Sequence, residues 1–309
     1  PASRATPTPP GPSLASGAGR NNESLDDAAV LFGRLTLEMR PDYDLARILL
    51  GDLFIQNRQP ETALAIYREV DRASPFSWRT RLKAALALDQ ATRTDEATAL
   101  IAAMIEERKD RSDAAQTLGD VLRGRERYAE AADAYALAIA RTPDPVTRDW
   151  TLFYAYGIAL ERSKEWPKAE AAFRKALQLQ PDQPYVLNYL AYSWVDMGIN
   201  LREGKEMLER AVRQRPNDGA IVDSLAWAHF RLGEFERAVE LLERAVALLS
   251  TDWTINDHLG DAYWRVGRKV EARFQWQRAL ALKPDEDKIA IVEDKIANGM
   301  ADEPAAPKN

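Results

Sequence analysis

The sequence of 309 residues predicts an all-α fold: antiparallel helix pairs stacked into a right-handed α-solenoid. Three observations carry that expectation. Apolar residues recur at helical spacing, small and aromatic residues return with a period of about 34 residues, and prolines close most of the periods. A single helix pair cannot bury its apolar stripe alone. Stacked pairs cover one another, which produces a continuous core and a concave groove.

The period from Trp253 to Pro284 is the clearest, with Leu259, Gly260, Tyr263, Ala272, Trp276, Ala279 and Pro284 in register. Gly260 and Ala272 let two helices approach closely, Tyr263 and Trp276 fill the space beside them, and Pro284 ends the second helix. The preceding period starts at Gly219 and runs through Leu225, Ala226, Ala238, Leu242 and Ala245 to Ser250, with no closing proline. Before it, Leu187, Leu190, Ala191 and Trp194 open a period completed by Gly204, Leu208, Ala211 and Pro216. Its turn, Met197 to Leu201, is one residue longer than standard. Trp150, Gly157, Leu160, Ala169, Phe173, Ala176 and Pro181 form another, as do Leu118, Gly119, Leu122, Ala131, Tyr135, Ala138 and Pro143. Leu50, Gly51, Phe54, Ala63, Tyr67, Val70 and Pro75 form one more.

Between the last two lies a weak copy, from Trp78 to Arg111, with Ala85, Leu88, Ala97, Ile101 and Met104 in place but Lys109 where proline belongs. The count is about seven repeats, beginning near residues 44, 78, 112, 150, 184, 219 and 253. Asp144 to Thr147 lengthens one connection, and Pro145 makes that insertion a loop.

The ends differ from the middle. Residues 285–298 read as a lone capping helix, with Ile289, Val292 and Ile296 on one side and Gly299 as its stop. Residues 25–41 read as half a repeat, with Ala28, Phe32, Leu35 and Met39 at helical spacing before Pro41. Residues 1–24, rich in Pro, Ser, Gly and Ala, and the tail 300–309 are expected to be disordered. A half repeat behind a linker, with no initiator Met, is expected of a fragment or processed product.

Forty-two Lys and Arg against forty-eight Asp and Glu give a net charge of −6. That balance argues against nucleic acid, whose phosphates need clustered cations. Mixed runs such as Glu106 to Arg111 read as solvated faces. No stretch approaches the roughly 20 apolar residues of a membrane span. With no cysteine, disulfide and thiol chemistry are excluded, and compartment is left open.

The spacing resembles the tetratricopeptide repeat, a helix-turn-helix unit used to bind proteins. Three segments are more specific than the repeat pattern: Asn188 to Val195, Ile221 to Trp227 and Ile255 to Trp264. They resemble the C-terminal half of a proteobacterial family of long repeat proteins. Some members of that family are outer-membrane lipoproteins that hold a periplasmic carboxy-terminal processing protease and present its substrates. The resemblance implies an adaptor for a protease or its substrates, in the periplasm or at the outer membrane. It covers most of residues 25–299.

The groove can be read without the resemblance. The first helix of each pair lines the concave surface. In the last three full repeats its groove positions hold Tyr185, Asn188, Tyr189, Tyr192, Asp196, Asp223, Ser224, Trp227, Phe230, Arg231, Asp257, His258, Asp261, Trp264 and Arg265. Aromatics at solvent-facing positions supply large contact areas at little cost in side-chain entropy. Asn188 is suited to a ligand backbone amide, and Asp223, Asp257 and Asp261 to a cationic segment. The alternative is that Tyr189, Trp227 and Trp264 pack against neighbouring repeats.

Groove aspartates at Asp52, Asp113, Asp120, Asp223 and Asp257 argue against a clamp for a partner's acidic C-terminus. Arg231 and Arg265 are left as a pair for one carboxylate, or as partners of Asp196 and Asp261. Enzyme chemistry has no constellation to rest on. His229 takes a packing position, His258 with Asp257 and Asp261 makes an incomplete metal set, and Ser224 lacks a base and an oxyanion hole. No phosphate-binding glycine loop occurs. The sequence therefore predicts a non-catalytic, cofactor-free protein-binding scaffold. Two alternatives stay open: the regulatory arm of an enzyme whose catalytic domain lies elsewhere, and a self-assembling scaffold.

Overall fold

The computed structural model describes residues 21–301, so the expectations for residues 1–20 and 302–309 lie outside the described residues. Among the described residues the regular structure is entirely helical. It forms two compact units that divide after Leu179. The first holds α1 (Asn21–Met39) and the pairs α2 (Asp44–Gln56) with α3 (Pro60–Arg68), α4 (Ser77–Gln90) with α5 (Thr94–Glu107), α6 (Asp113–Gly124) with α7 (Tyr128–Ala140), and α8 (Trp150–Arg162) with α9 (Trp166–Leu179). The second holds α10 (Pro184–Met197) with α11 (Leu201–Gln214), α12 (Gly219–Arg231) with α13 (Phe235–Leu248), α14 (Trp253–Arg265) with α15 (Lys269–Ala281), and the single helix α16 (Glu286–Asn298).

The pairs open at Asp44, Ser77, Asp113, Trp150, Pro184, Gly219 and Trp253. The expected loop before Trp150 contains a short 3-10 turn, Thr147–Asp149. α1 begins at Asn21, inside the stretch expected to be linker.

One contact explains the repeat pattern. An aromatic ring on the second helix lies against a glycine on the first. A Cβ on Gly51, Gly119, Gly157 or Gly260 would come within 2.3, 2.5, 2.6 or 2.4 Å of Tyr67, Tyr135, Phe173 or Trp276 respectively. The same four rings are at most 3% exposed, so each hydrophobic contribution of about 1.5–3 kcal/mol is realised in full. The corresponding positions elsewhere hold Ala85 with Ile101 and Ala226 with Leu242, all buried.

A polar bond accompanies the ring. Tyr67 donates to Asp52 (2.6 Å), Tyr135 to Asp120 (2.8 Å) and Trp276 to Asp261 (2.9 Å). Groove-side aspartates thus hold the two helices of a repeat together.

Turns repeat as faithfully as cores. A left-handed residue lies in the turn inside each pair: Arg58, Thr92, Glu126, Lys164, Gly198, Gly233 and Gly267. The longer turn of the 184 repeat adds a second, Asn200. Arginines at a spacing of about 34 residues tie successive repeats in the second unit. Arg210 donates to the Pro181 carbonyl (3.1 Å), Arg244 to that of Pro216, and Arg278 to that of Ser250 (3.3 Å).

α1 departs from this rule. Phe32 follows Ala28 in the spacing that buries Tyr67, yet it is 66% exposed, because no first helix lies against it among the described residues.

Candidate functional site

In the second unit the first helices α10, α12 and α14 bring six of the expected groove residues to one cleft. Tyr192, Asp196, Trp227, Asp257, His258 and Asp261 line about 240 Å³ of space, joined by Trp253 and Thr254. α16 closes the far wall with Lys288, Ile291, Val292 and Lys295. Asp252 fixes the start of α14 by accepting from the backbone amides of Thr254 and Ile255. Asp218 does the same for α12 at Ile221. These caps set the rotation of each helix and therefore which side chains face the cleft.

The aspartates already have cations of their own. Asp223 accepts from His258 Nδ1 at 2.9 Å, across neighbouring first helices. Lys295 reaches from α16 to Asp257 and Asp261, 2.8 Å from each. Asp261 also accepts from Trp276. The same device recurs in the first unit, where Lys83 on α4 reaches Asp52 on α2 at 2.7 Å. α16 therefore stands where the first helix of a following repeat would stand.

This network moves protonation equilibria. Burial works against the charged form of His258, but Asp223, with Asp257 and Asp261 behind it, outweighs burial and raises the imidazole above its ordinary value. Burial raises the Asp261 carboxyl and Asp257 adds to the rise, against the opposing pull of Lys295. The two carboxylates likewise hold Lys295 in its charged form despite burial.

The aromatic residues are less open than the sequence suggests. Tyr189, Tyr192 and Phe230 are 7%, 8% and 9% exposed, because the next first helix packs over positions that an isolated hairpin would leave bare. Trp227 is half-buried in a stack, 4.7 Å from the Phe230 ring and 4.1 Å from His258. Trp264 does not line the cleft; its indole donates to the Met300 carbonyl at 3.0 Å and carries Lys269 on its face. Tyr185 lies under Arg215. Arg231 donates to the backbone carbonyl of Asp196 at 2.9 Å and so caps α10. Arg265 is half-buried near the end of α14. His229, at its packing position, contacts Glu234, and Ser224 donates within its own helix.

Three polar atoms at groove positions are buried without a partner: Asn188 Oδ1, Trp227 Nε1 and Asp257 Oδ1. The sequence singled out these residues. Trp253 and Thr254, at the start of α14, and Lys288, Ile291 and Lys295 were not among them; the signal for the last three is that the terminal helix continues the spacing of first helices. Among the described residues no group of His, Asp or Glu is arranged to hold a metal ion.

Comparison with known proteins agrees with the architecture. Two family models described as tetratricopeptide repeat match, one over residues 14–77, 200–253 and 224–287 and the other over residues 150–183. A TPR repeat-containing protein of Pseudomonas aeruginosa is 26% identical over 196 residues, which are 63% of this chain and 32% of the relative. A human protein O-mannosyl-transferase is 29% identical over 167 residues, 54% of this chain and 18% of the relative. The chain thus spans less than a third of the length of either. Among solved structures, a chain of the APC/C hetero-tetramer Cut9–Hcn1 superposes with a TM-score of 0.63 at 15% identity, covering 89% of this chain and 53% of its own. A tetratricopeptide repeat protein from Parabacteroides merdae gives 0.62 at 14%, covering 82% and 99%. At such identities the likeness concerns the fold alone.

Proposed function

The chain belongs to the tetratricopeptide-repeat family, and on that premise we propose that it is a non-catalytic scaffold that holds a segment of a partner protein in the cleft of its second unit. The observation that carries this reading is the convergence of Tyr192, Asp196, Trp227, Asp257 and His258 on one cleft, with Trp227 Nε1 and Asp257 Oδ1 lacking partners. A buried polar atom without a partner costs about 1–3 kcal/mol, so a segment whose entry shifts the cleft wall and brings a donor or acceptor to these atoms recovers that cost. Stacked aromatic surface supplies the apolar part of the contact.

Within that reading, the partner is a protease or the substrates brought to it, as the resemblance of Asn188 to Val195, Ile221 to Trp227 and Ile255 to Trp264 implies. The test is affinity capture from a proteobacterial lysate, with the Asp196→Ala and Trp227→Ala variants as paired controls. Capture of a processing protease or its substrates by the wild type alone supports the adaptor role. Equal capture by all three proteins removes the cleft from the account.

A second reading has one observation in its favour. The human relative is named a transferase, and this chain matches 18% of it, so repeats of this kind also occur within a larger protein bearing an enzyme's name. A catalytic domain in the same full-length chain would favour that regulatory-arm reading.

A further inference from the structure

We propose that the first unit carries a second binding site, at the seam where α3 and α5 flank α4, for a partner segment that places a carboxylate beside apolar side chains. The site is independent of the cleft in the second unit. On α4, Ser77, Arg81, Ala84 and Leu88 fall on one stripe, whereas Lys83 turns to the other side of the helix to meet Asp52. The stripe therefore opens away from the groove-side aspartate. Here the weak repeat has small residues, Ser77 and Ala84 on α4 and Ala99 on α5, and the seam opens into a trough of about 440 Å³.

The floor of the trough is apolar, with Leu64, Tyr67 and Leu88 nearly covered. Its charged groups are mostly cationic. Arg68 and Arg72 stand exposed at the rim and form no ion pair among the described residues. Arg81 forms the wall; one end of its guanidinium meets Glu107 at 2.8 Å, while its Nε is buried without a partner. The lone lining carboxylate, Glu96, is held by two bonds of 2.7 Å from Arg93. What remains is the exposed guanidinium of Arg72 at the rim, beside Arg68, whose charge also acts on Glu96, over an apolar floor. A carboxylate meets the exposed guanidinium groups of the rim in charge-assisted bonds, and a neighbouring apolar side chain covers the floor. An open trough suits a peptide segment better than a free fatty acid, which needs a cavity enclosing most of its surface.

The test uses fluorescence anisotropy on the full chain, with a labelled synthetic peptide of alternating leucine and glutamate and its counterpart with lysine for glutamate. Saturable binding of the acidic peptide is expected, and none of the basic one. Arg72→Glu, a surface change, and Ala84→Leu, which fills the trough, should each weaken binding by about tenfold or more, as loss of a charge-assisted contact implies. Trp227→Ala should leave it unchanged. Arg72→Glu decides the matter if Ala84→Leu melts early. No saturable binding, equal binding of the basic peptide, indifference to Arg72→Glu, or displacement of the peptide by oleate would each overturn the proposal.

Discussion

The ammonium group of Lys295 lies 2.8 Å from the carboxylate of Asp261, and through this contact the last helix is fastened to the last repeat. Both side chains are largely buried, at 16% and 6% exposure, so removing the cation leaves Asp257 and Asp261 with uncompensated charge. Lys295→Met is expected to destabilise the second unit by about 3 kcal/mol or more at neutral pH. The loss should shrink on acidification. The folded-state pKa of Asp261 is already raised, so its proton is taken up above the ordinary carboxylate range and stability falls as pH rises through the folded value. Denaturation at pH 5 and pH 8 measures both, and an equal loss at the two values would contradict this.

His258 provides a local pH readout. Its folded value is raised, so its contribution to stability is complete below the unfolded value of about 6.5 and is lost as pH rises through the folded value. Asp223→Asn removes the charge that opposes burial, and the imidazole should then titrate lower than in the wild type. Histidine NMR titration reads the shift directly. An unmoved or higher value in the variant would show that Asp223 is not the cause.

Consensus packing makes a separate prediction. The Trp276 ring leaves no room for a Cβ on Gly260, which would lie 2.4 Å from it. Gly260→Leu should lower stability by about 1–3 kcal/mol through overpacking. An unchanged urea midpoint would mean that the two helices separate freely there.

The weak repeat has an identifiable strain. Thr92, a β-branched residue, sits in the left-handed region at φ 62°, where Gly233 and Gly267 occupy the equivalent turns. Thr92→Gly should stabilise the chain by about 0.5–1 kcal/mol, the relief of strain exceeding the entropy of the added glycine. Hydrogen exchange in the wild type should be faster over Trp78 to Arg111 than over Trp253 to Pro284. Slower exchange there, or a destabilised variant, would count against this view.

These particulars show what was legible beforehand. The fold was legible because the spacing of Gly260 and Trp276 returns in Gly51 and Tyr67, Gly119 and Tyr135, and Gly157 and Phe173, and that spacing is a property of the chain. Groove positions such as Tyr192 and Asp257 were legible because helical register fixes the face on which they lie. Their exposure was not, since Tyr189 is covered by a neighbouring helix whose closeness depends on packing. The surroundings of Trp264 were not legible, because the Met300 carbonyl that its indole meets belongs to the non-repeating end. Lys295 was missed because the cation of Asp261 comes from a helix beyond the last full repeat.

The cleft's role is tested most directly by site-specific photo-crosslinking in cells. A benzophenone amino acid replaces Ile291, which lines the cleft and is 50% exposed, or Val270, which is 80% exposed on α15 and not among the cleft-lining residues. A discrete protein adduct is expected from position 291 that disappears when Trp227→Ala is added, and none from position 270. An adduct from 270 alone, or one from 291 that persists without Trp227, would contradict it.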